Sequence, residues 1–123
     1  MSEQAPAIAG IAALAVDCHD PPGLARWWGR LLGGPVEVDA DGDATLHAPG
    51  LVIDFLRVPE AKSVKNRLHI DLAVEDLDGA FAQIVAYGGS AVSDILEMPG
   101  GYRWRVMADP EGNEFCIVPR DED

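Results

Sequence analysis

The sequence predicts an α+β fold made of two tandem βαβββ modules, and three observations predict it. Leu14-Ala15-Val16-Asp17 recurs 58 positions later as Leu72-Ala73-Val74-Glu75. Each copy leads into a stretch of helical spacing that stops at a Gly-Gly pair, first Gly33-Gly34 and then Gly88-Gly89. Each module also closes on a matching segment: Asp54-Phe55-Leu56-Arg57-Val58-Pro59 returns 60 positions on as Glu114-Phe115-Cys116-Ile117-Val118-Pro119. A chain of 123 residues suits one core. The expectation is therefore a single domain over 1–123, with module 1 at about 8–59, a linker at 60–66 and module 2 at about 67–119.

Taken in order, the first strand is Leu14 to Asp17, and the first helix runs from Pro21 to Leu32. Leu24, Trp27, Trp28, Leu31 and Leu32 give that helix its three-to-four apolar spacing, while Pro21 and Pro22 suit its first turn. Three strands follow, Val36 to Asp39, Ala44 to His47 and Val52 to Val58, parted by Asp41-Gly42 and Pro49-Gly50. The second helix runs from Asp76 or Leu77 to Tyr87 with Leu77, Phe81, Ile84 and Val85 on one face. Its three strands are Ser90 to Leu96, Tyr102 to Ala108 and Glu114 to Val118, with turns at Pro99-Gly100-Gly101 and Pro110-Glu111-Gly112.

Composition is that of an ordinary globular chain, 48% hydrophobic and 24% charged. A formal charge of −12 repels phosphate backbones and anionic lipid, which sets nucleic acid and membrane surfaces aside as partners and leaves cationic ligands open. Acidity of this kind also serves solubility alone. The opening ten residues lack a basic region followed by an apolar run, and no eighteen apolar residues follow one another, so the expected compartment is the cytoplasm. There Cys18 and Cys116 stay reduced. No phosphate-cradling loop, Cys-x-x-Cys or Gly-x-Ser-x-Gly turn is present, and Lys65-Asn66-Arg67 is too short for a nucleic-acid patch.

The paired modules, the segment Arg67-Leu68-His69-Ile70-Asp71-Leu72 and the ending Asp109-Pro110-Glu111-Gly112-Asn113-Glu114-Phe115 together resemble the vicinal-oxygen-chelate superfamily, nearest its glyoxalase-like branch. The resemblance covers nearly the whole chain. It implies a curved mixed sheet around a cavity, the fold of glyoxalase I, bleomycin-resistance proteins and extradiol dioxygenases. A divalent metal usually sits in that cavity, on ligands from the first and last strands of each module. Here the matching positions are His69, its counterpart Ile11, then Cys116 and its counterpart Leu56. Two of the four are aliphatic. Catalytic metal sites want about three protein ligands and an open position, so no cofactor is expected. The alternative is a divalent metal in a displaced site drawing on Asp54, Glu114 or His47.

Strand alternation is a separate guide to the site. Ile70, Leu72 and Val74 pack under a helix, which leaves Arg67, His69 and Asp71 on the other face; likewise Phe115 and Ile117 turn inward and Glu114, Cys116 and Val118 join His69. His69 and Cys116 thus become neighbours, a candidate base and thiol, with burial as ordinary core groups the plainer explanation. Arg67, His69, Asp71, Leu56, Glu114, Cys116 and Trp104 are the expected ligand-lining set. Trp27, Trp28 and Trp104 are each suited to stack on an aromatic or cationic ligand, or to fill the core or a dimer contact. Arg103 and Arg105 alternate with Tyr102 and Trp104 and are expected to face solvent.

Three functions fit these residues. The first is a protein that binds a small organic molecule, cationic or aromatic, without metal. The second is a lyase or isomerase using His69 with Asp71 or Cys116, with or without a rearranged metal site. The third is an accessory domain with no ligand and exposed apolar surface around Trp27 or Trp28. A homodimer is expected on the resemblance and on the prevalence of two-fold pairs.

Overall fold

The computed structural model of the protein describes residues 11–64, 66, 69–97 and 99–119. They fall into two compact units that divide between Arg57 and Val58, each taken by itself below. The division lies just ahead of the expected linker at 60–66.

In the first unit the order is β1 (Leu14–Cys18), α1 (Pro21–Leu32), β2 (Val36–Val38), β3 (Ala44–Ala48) and β4 (Leu51–Arg57). The sheet runs β1-β4-β3-β2, with β1 parallel to β4 and the other pairs antiparallel. A parallel β1–β4 pair needs a long crossover, and α1 with the β2–β3 hairpin supplies it. Register puts Leu14 and Leu46 beside Ile53, and Val16 and Ala44 beside Phe55. Leu46, Ile53 and Phe55 are fully buried, and α1 packs on β2, β3 and β4. Leu24, Ala25, Trp27 and Trp28 of α1 are buried too. Each such large apolar side chain contributes roughly 1.5–3 kcal/mol by leaving water. The two tryptophan rings meet edge-on at 5.3 Å, and of the roles open to them both take the core. The apolar face of α1 is wide enough for both.

The second unit runs β5 (Ile70–Val74), α2 (Leu77–Ala86), β6 (Ser90–Ala91), β7 (Leu96–Glu97), β8 (Arg103–Ala108) and β9 (Glu114–Pro119). Its sheet order is β5-β9-β8-β6, with β7 also pairing β8. Again the first strand lies parallel to the last, Ile70 beside Phe115 and Leu72 beside Ile117. Helix α2 packs on β9 and β6. The single strand expected from Ser90 to Leu96 is broken in two, and Ser93 is the reason. The amides of Val92 and Ser93 both point to the one carbonyl of Val106, at 2.8 and 3.2 Å, while Ser93 Oγ accepts from Val106 N at 3.1 Å. Two residues thus face one, a bulge held by a side chain in place of a ladder bond.

The helix ends show why the repeat folds twice the same way. Asp20 and Asp76 are the N-caps, and each accepts from the glycine three residues on, Gly23 N at 3.2 Å and Gly79 N at 3.0 Å. Both pairs are close: a Cβ on Gly23 would stand 2.2 Å from Asp20 Oδ2. At the other end of α2, Gly88 N bonds to Val85 O at 3.0 Å and Gly89 N to Ile84 O at 2.9 Å, a Schellman cap with Gly88 at φ 99°. After α1, Gly34 has φ 102°, and a Cβ there would sit 2.0 Å from the carbonyl oxygen of His47. Only glycine fits that approach.

One more device appears twice. In the β2–β3 turn, Asp39 Oδ1 accepts from Asp41 N at 2.9 Å and Asp43 N at 3.1 Å. In the β8–β9 turn, Asp109 Oδ1 accepts from Glu111 N and Asn113 N, both at 2.9 Å. The backbone bonds match as well, Gly42 N to Asp39 O and Gly112 N to Asp109 O. Asp109 is 3% exposed and also takes the Asn113 amide at 3.0 Å on Oδ2. The Asp109–Asn113 stretch on which the family resemblance partly rests is therefore a turn anchor.

Candidate functional site

Each sheet has one face under its helix and one face opposite. In the second unit Arg105 fixes which is which: its guanidinium carbon lies 3.9 Å above the Phe81 ring of α2, and its Nε donates to Ser93 O at 3.0 Å. Arg105 pairs with Ile117 and Met107 with Phe115, so these share the helix side. The expectation of Arg105 in solvent is corrected; it is half-buried, its stem lying on an aromatic ring and its head on a carbonyl. Arg103 is exposed as expected.

The opposite face carries the alternate residues. Cys116 is the centre of a row, with Asp71 on β5 to one side and Val106 on β8 to the other. Glu114, Ala108 and Ser90 form the next row toward one end. Toward the other end lie Val118 with Ala73, and Trp104 with Leu96. Tyr102, 48% exposed, stands 5.9 Å from Trp104, the two ring planes tilted by 31°. Sequence reasoning placed Asp71, Glu114, Cys116 and Trp104 in the expected ligand-lining set and left Leu96 and Tyr102 out of it. Their signal was the i, i+2 spacing of Tyr102 and Trp104 and the β7–β8 pairing.

His69 stands one residue ahead of β5 and is exposed, with Nε2 3.1 Å from Asn66 O. The register thus sets Asp71, two residues further on, opposite Cys116. Cys116 is 8% exposed, and it and Cys18 are both buried thiols. Arg67 lies outside the described residues.

The positions that would carry a metal can be tested on the residues present. Ile11 is 88% exposed and Leu56 37% exposed, and neither offers a lone pair. Of the residues proposed for a displaced site, His47 Nε2 sits 2.6 Å from Glu37 Oε1, and Asp54 Oδ1 accepts from Thr45 Oγ1 at 2.8 Å. Among the described residues no three His, Cys, Asp or Glu side chains gather as a metal ion would require.

Known proteins agree on the fold. The family model described as Glyoxalase-like domain matches residues 13–118. A protein named "Putative glyoxylase CFP32", from Mycobacterium bovis and again from Mycobacterium tuberculosis, is 32% identical over 60 residues, which is 49% of this chain. The match spans 23% of that protein's length. Among solved structures, a glyoxalase/bleomycin resistance protein/dioxygenase from Nocardioides aligns with TM-score 0.71 at 17% identity, over 96% of this chain and 87% of that one. A fosfomycin resistance protein, FosX, from Listeria monocytogenes, complexed with Mn(II) and sulfate, aligns with TM-score 0.75 at 14% identity, over 94% and 93%. At such identities the likeness concerns the backbone. With the family model spanning both βαβββ modules, this chain belongs to the Glyoxalase-like domain family.

Proposed function

We propose that this protein binds a small organic molecule on the face of its second sheet opposite α2, and does so without the divalent metal usual for the fold. The observation that carries this reading is the composition of that face: Trp104, Val106, Val118 and Leu96 give an apolar surface beside a few polar groups, as small-molecule sites require. The aliphatic Ile11 and Leu56 support the metal-free part. We further propose a cytoplasmic homodimer; no helix among the described residues is long and apolar enough to cross a membrane.

The test is a thermal-shift screen of the purified protein against divalent metals, thiol adducts, and cationic or aromatic compounds. A ligand of the native state at 100 times its Kd adds about 2.7 kcal/mol, which a melting curve resolves easily. Organic compounds raise the melting temperature, Trp104→Leu removes the rise, and manganese, zinc or nickel produce none. A large metal-induced shift that vanishes in His69→Ala overturns the metal-free reading.

A second reading, a lyase or isomerase, draws support from the Asp71–Cys116 register, which sets a carboxylate beside a thiol. It predicts turnover that His69→Ala or Cys116→Ala abolishes while circular dichroism stays unchanged.

A further inference from the structure

We infer that the β2–β3 turn is a site of spontaneous covalent ageing, at which Asp41 isomerises to isoaspartate through a succinimide formed with the backbone amide of Gly42. This holds whatever the second sheet binds.

The chain has two Asp-Gly dipeptides, Asp41-Gly42 and Asp78-Gly79. Glycine suits the second position because, without a Cβ, its amide nitrogen turns most freely onto the preceding carboxyl carbon. In the reaction Gly42 N forms a bond to Asp41 Cγ. The Cγ–OH bond breaks, and the hydroxyl leaves with the amide proton as water. Water then opens the ring at one of its two carbonyl carbons. Cleavage between N and Cγ restores aspartate, whereas cleavage between N and the former main-chain carbonyl carbon leaves the chain running through Cβ. The water lost equals the water gained, so the product has the mass of the parent and needs no oxidant, reductant or other reactant.

Both aspartates are exposed, so the hold on the backbone decides which one reacts. Asp78 lies in the first turn of α2, where Gly79 N donates to Asp76 Oδ2 at 3.0 Å and Ala80 N to Asp76 O at 2.9 Å. A helical ψ keeps the Gly79 amide away from the Asp78 carboxyl carbon, and changing it undoes that turn and draws out Leu77, which is 5% exposed. Gly42 N has one bond, to Asp39 O at 3.1 Å, in a turn outside both strands. Nothing lies within 4 Å of where a Cβ on Gly42 would stand, so the ring has room to form. Exposed turns open locally at lower cost than a helix end anchored in the core.

Isoaspartate puts one more atom into the backbone directly ahead of a bonded residue. Asp43 N donates to Asp39 Oδ1 at 3.1 Å, Asp43 O accepts from Asp39 N at 2.9 Å, and Asp43 Oδ1 accepts from Arg57 N at 2.9 Å. A longer turn pulls Asp43 off these partners and loosens the three-residue β2 together with the end of β4.

The folded chain is incubated for weeks at physiological temperature and neutral pH, digested with trypsin, and treated with purified isoaspartyl methyltransferase and radiolabelled S-adenosylmethionine. The two dipeptides fall in separate peptides, one ending at Arg57 and the other at Arg103. Label and a second chromatographic peak of equal mass appear in the peptide ending at Arg57. They exceed those of the other peptide by more than about tenfold, the factor set by exposing one buried leucine. Asp41→Glu, which would have to close a six-membered ring, loses the label, and Asp41→Asn deamidates at that position with a rise in mass. In the aged fraction Arg57 N exchanges faster with deuterium. Equal label in the two peptides, or no product at Asp41 in the folded chain, overturns the inference.

Discussion

Asp109 and Asp39 anchor the same turn in two different settings, and the comparison shows what burial and one further partner do for a carboxylate. Both accept two backbone amides on Oδ1. Asp39 is exposed, so its alanine variant lets water take over the two amides, and a loss of about 1 kcal/mol follows, the usual value of a side-chain cap on a loop. Asp109 is 3% exposed and also holds the Asn113 side chain. Asp109→Ala strands amides that water reaches poorly, each carrying a desolvation penalty of about 1–3 kcal/mol, so a total near 3 kcal/mol is expected after allowing for relaxation. Asp109→Asn keeps an acceptor for the backbone but sets its amide nitrogen against that of Asn113, for a loss of about 1 kcal/mol. Urea denaturation followed by circular dichroism at pH 7 measures all three. Equal losses in Asp39→Ala and Asp109→Ala would refute the argument, because the two backbone hydrogen bonds are the same while Asp109 adds burial and the Asn113 side chain.

Two further substitutions test the close approach after α1. Gly33→Ala requires a positive φ with open space around the new methyl, about 1 kcal/mol, whereas Gly34→Ala adds a methyl 2.0 Å from the His47 carbonyl oxygen and costs about 4 kcal/mol by the same denaturation assay. In the second unit, Ser93→Ala deprives Val106 N of its partner and lowers stability by about 1 kcal/mol, seen also as faster amide exchange at Val106.

The helices and their boundaries were legible because they are punctuated chemically: prolines at the start of α1, glycine pairs at the end of both, and a repeat to confirm each. Helix α1 runs over the residues its spacing predicts, Pro21–Leu32. The matched Asp20/Gly23 and Asp76/Gly79 caps came only with the structure, because apolar spacing and glycine pairs do not mark a capping aspartate. The break at Ser93 was not legible either, because one hydroxyl decides it and nothing in the apolar pattern from Ser90 to Leu96 marks it. Arg105 misled for a different reason. Alternation assigns two faces to β8 without saying which one the helix covers, and arginine can stay under a helix when its stem lies on Phe81 and its head finds a carbonyl. For the site, alternation set His69 beside Cys116, whereas the register puts Asp71 opposite Cys116 and His69 lies just ahead of the strand, where periodicity loses its authority.

The bulge at Ser93 bears on how this protein keeps to itself. Beside β8, the outer strand is cut into two pieces of two residues each, β6 and β7, with Asp94 in the gap and Glu97 at the end. A foreign chain seeking to extend the sheet there would find no continuous run of backbone donors and acceptors to zip along, and would meet negative charge where the run is interrupted. The same serine that reshapes the strand thus also guards that border of the sheet against growth into fibres.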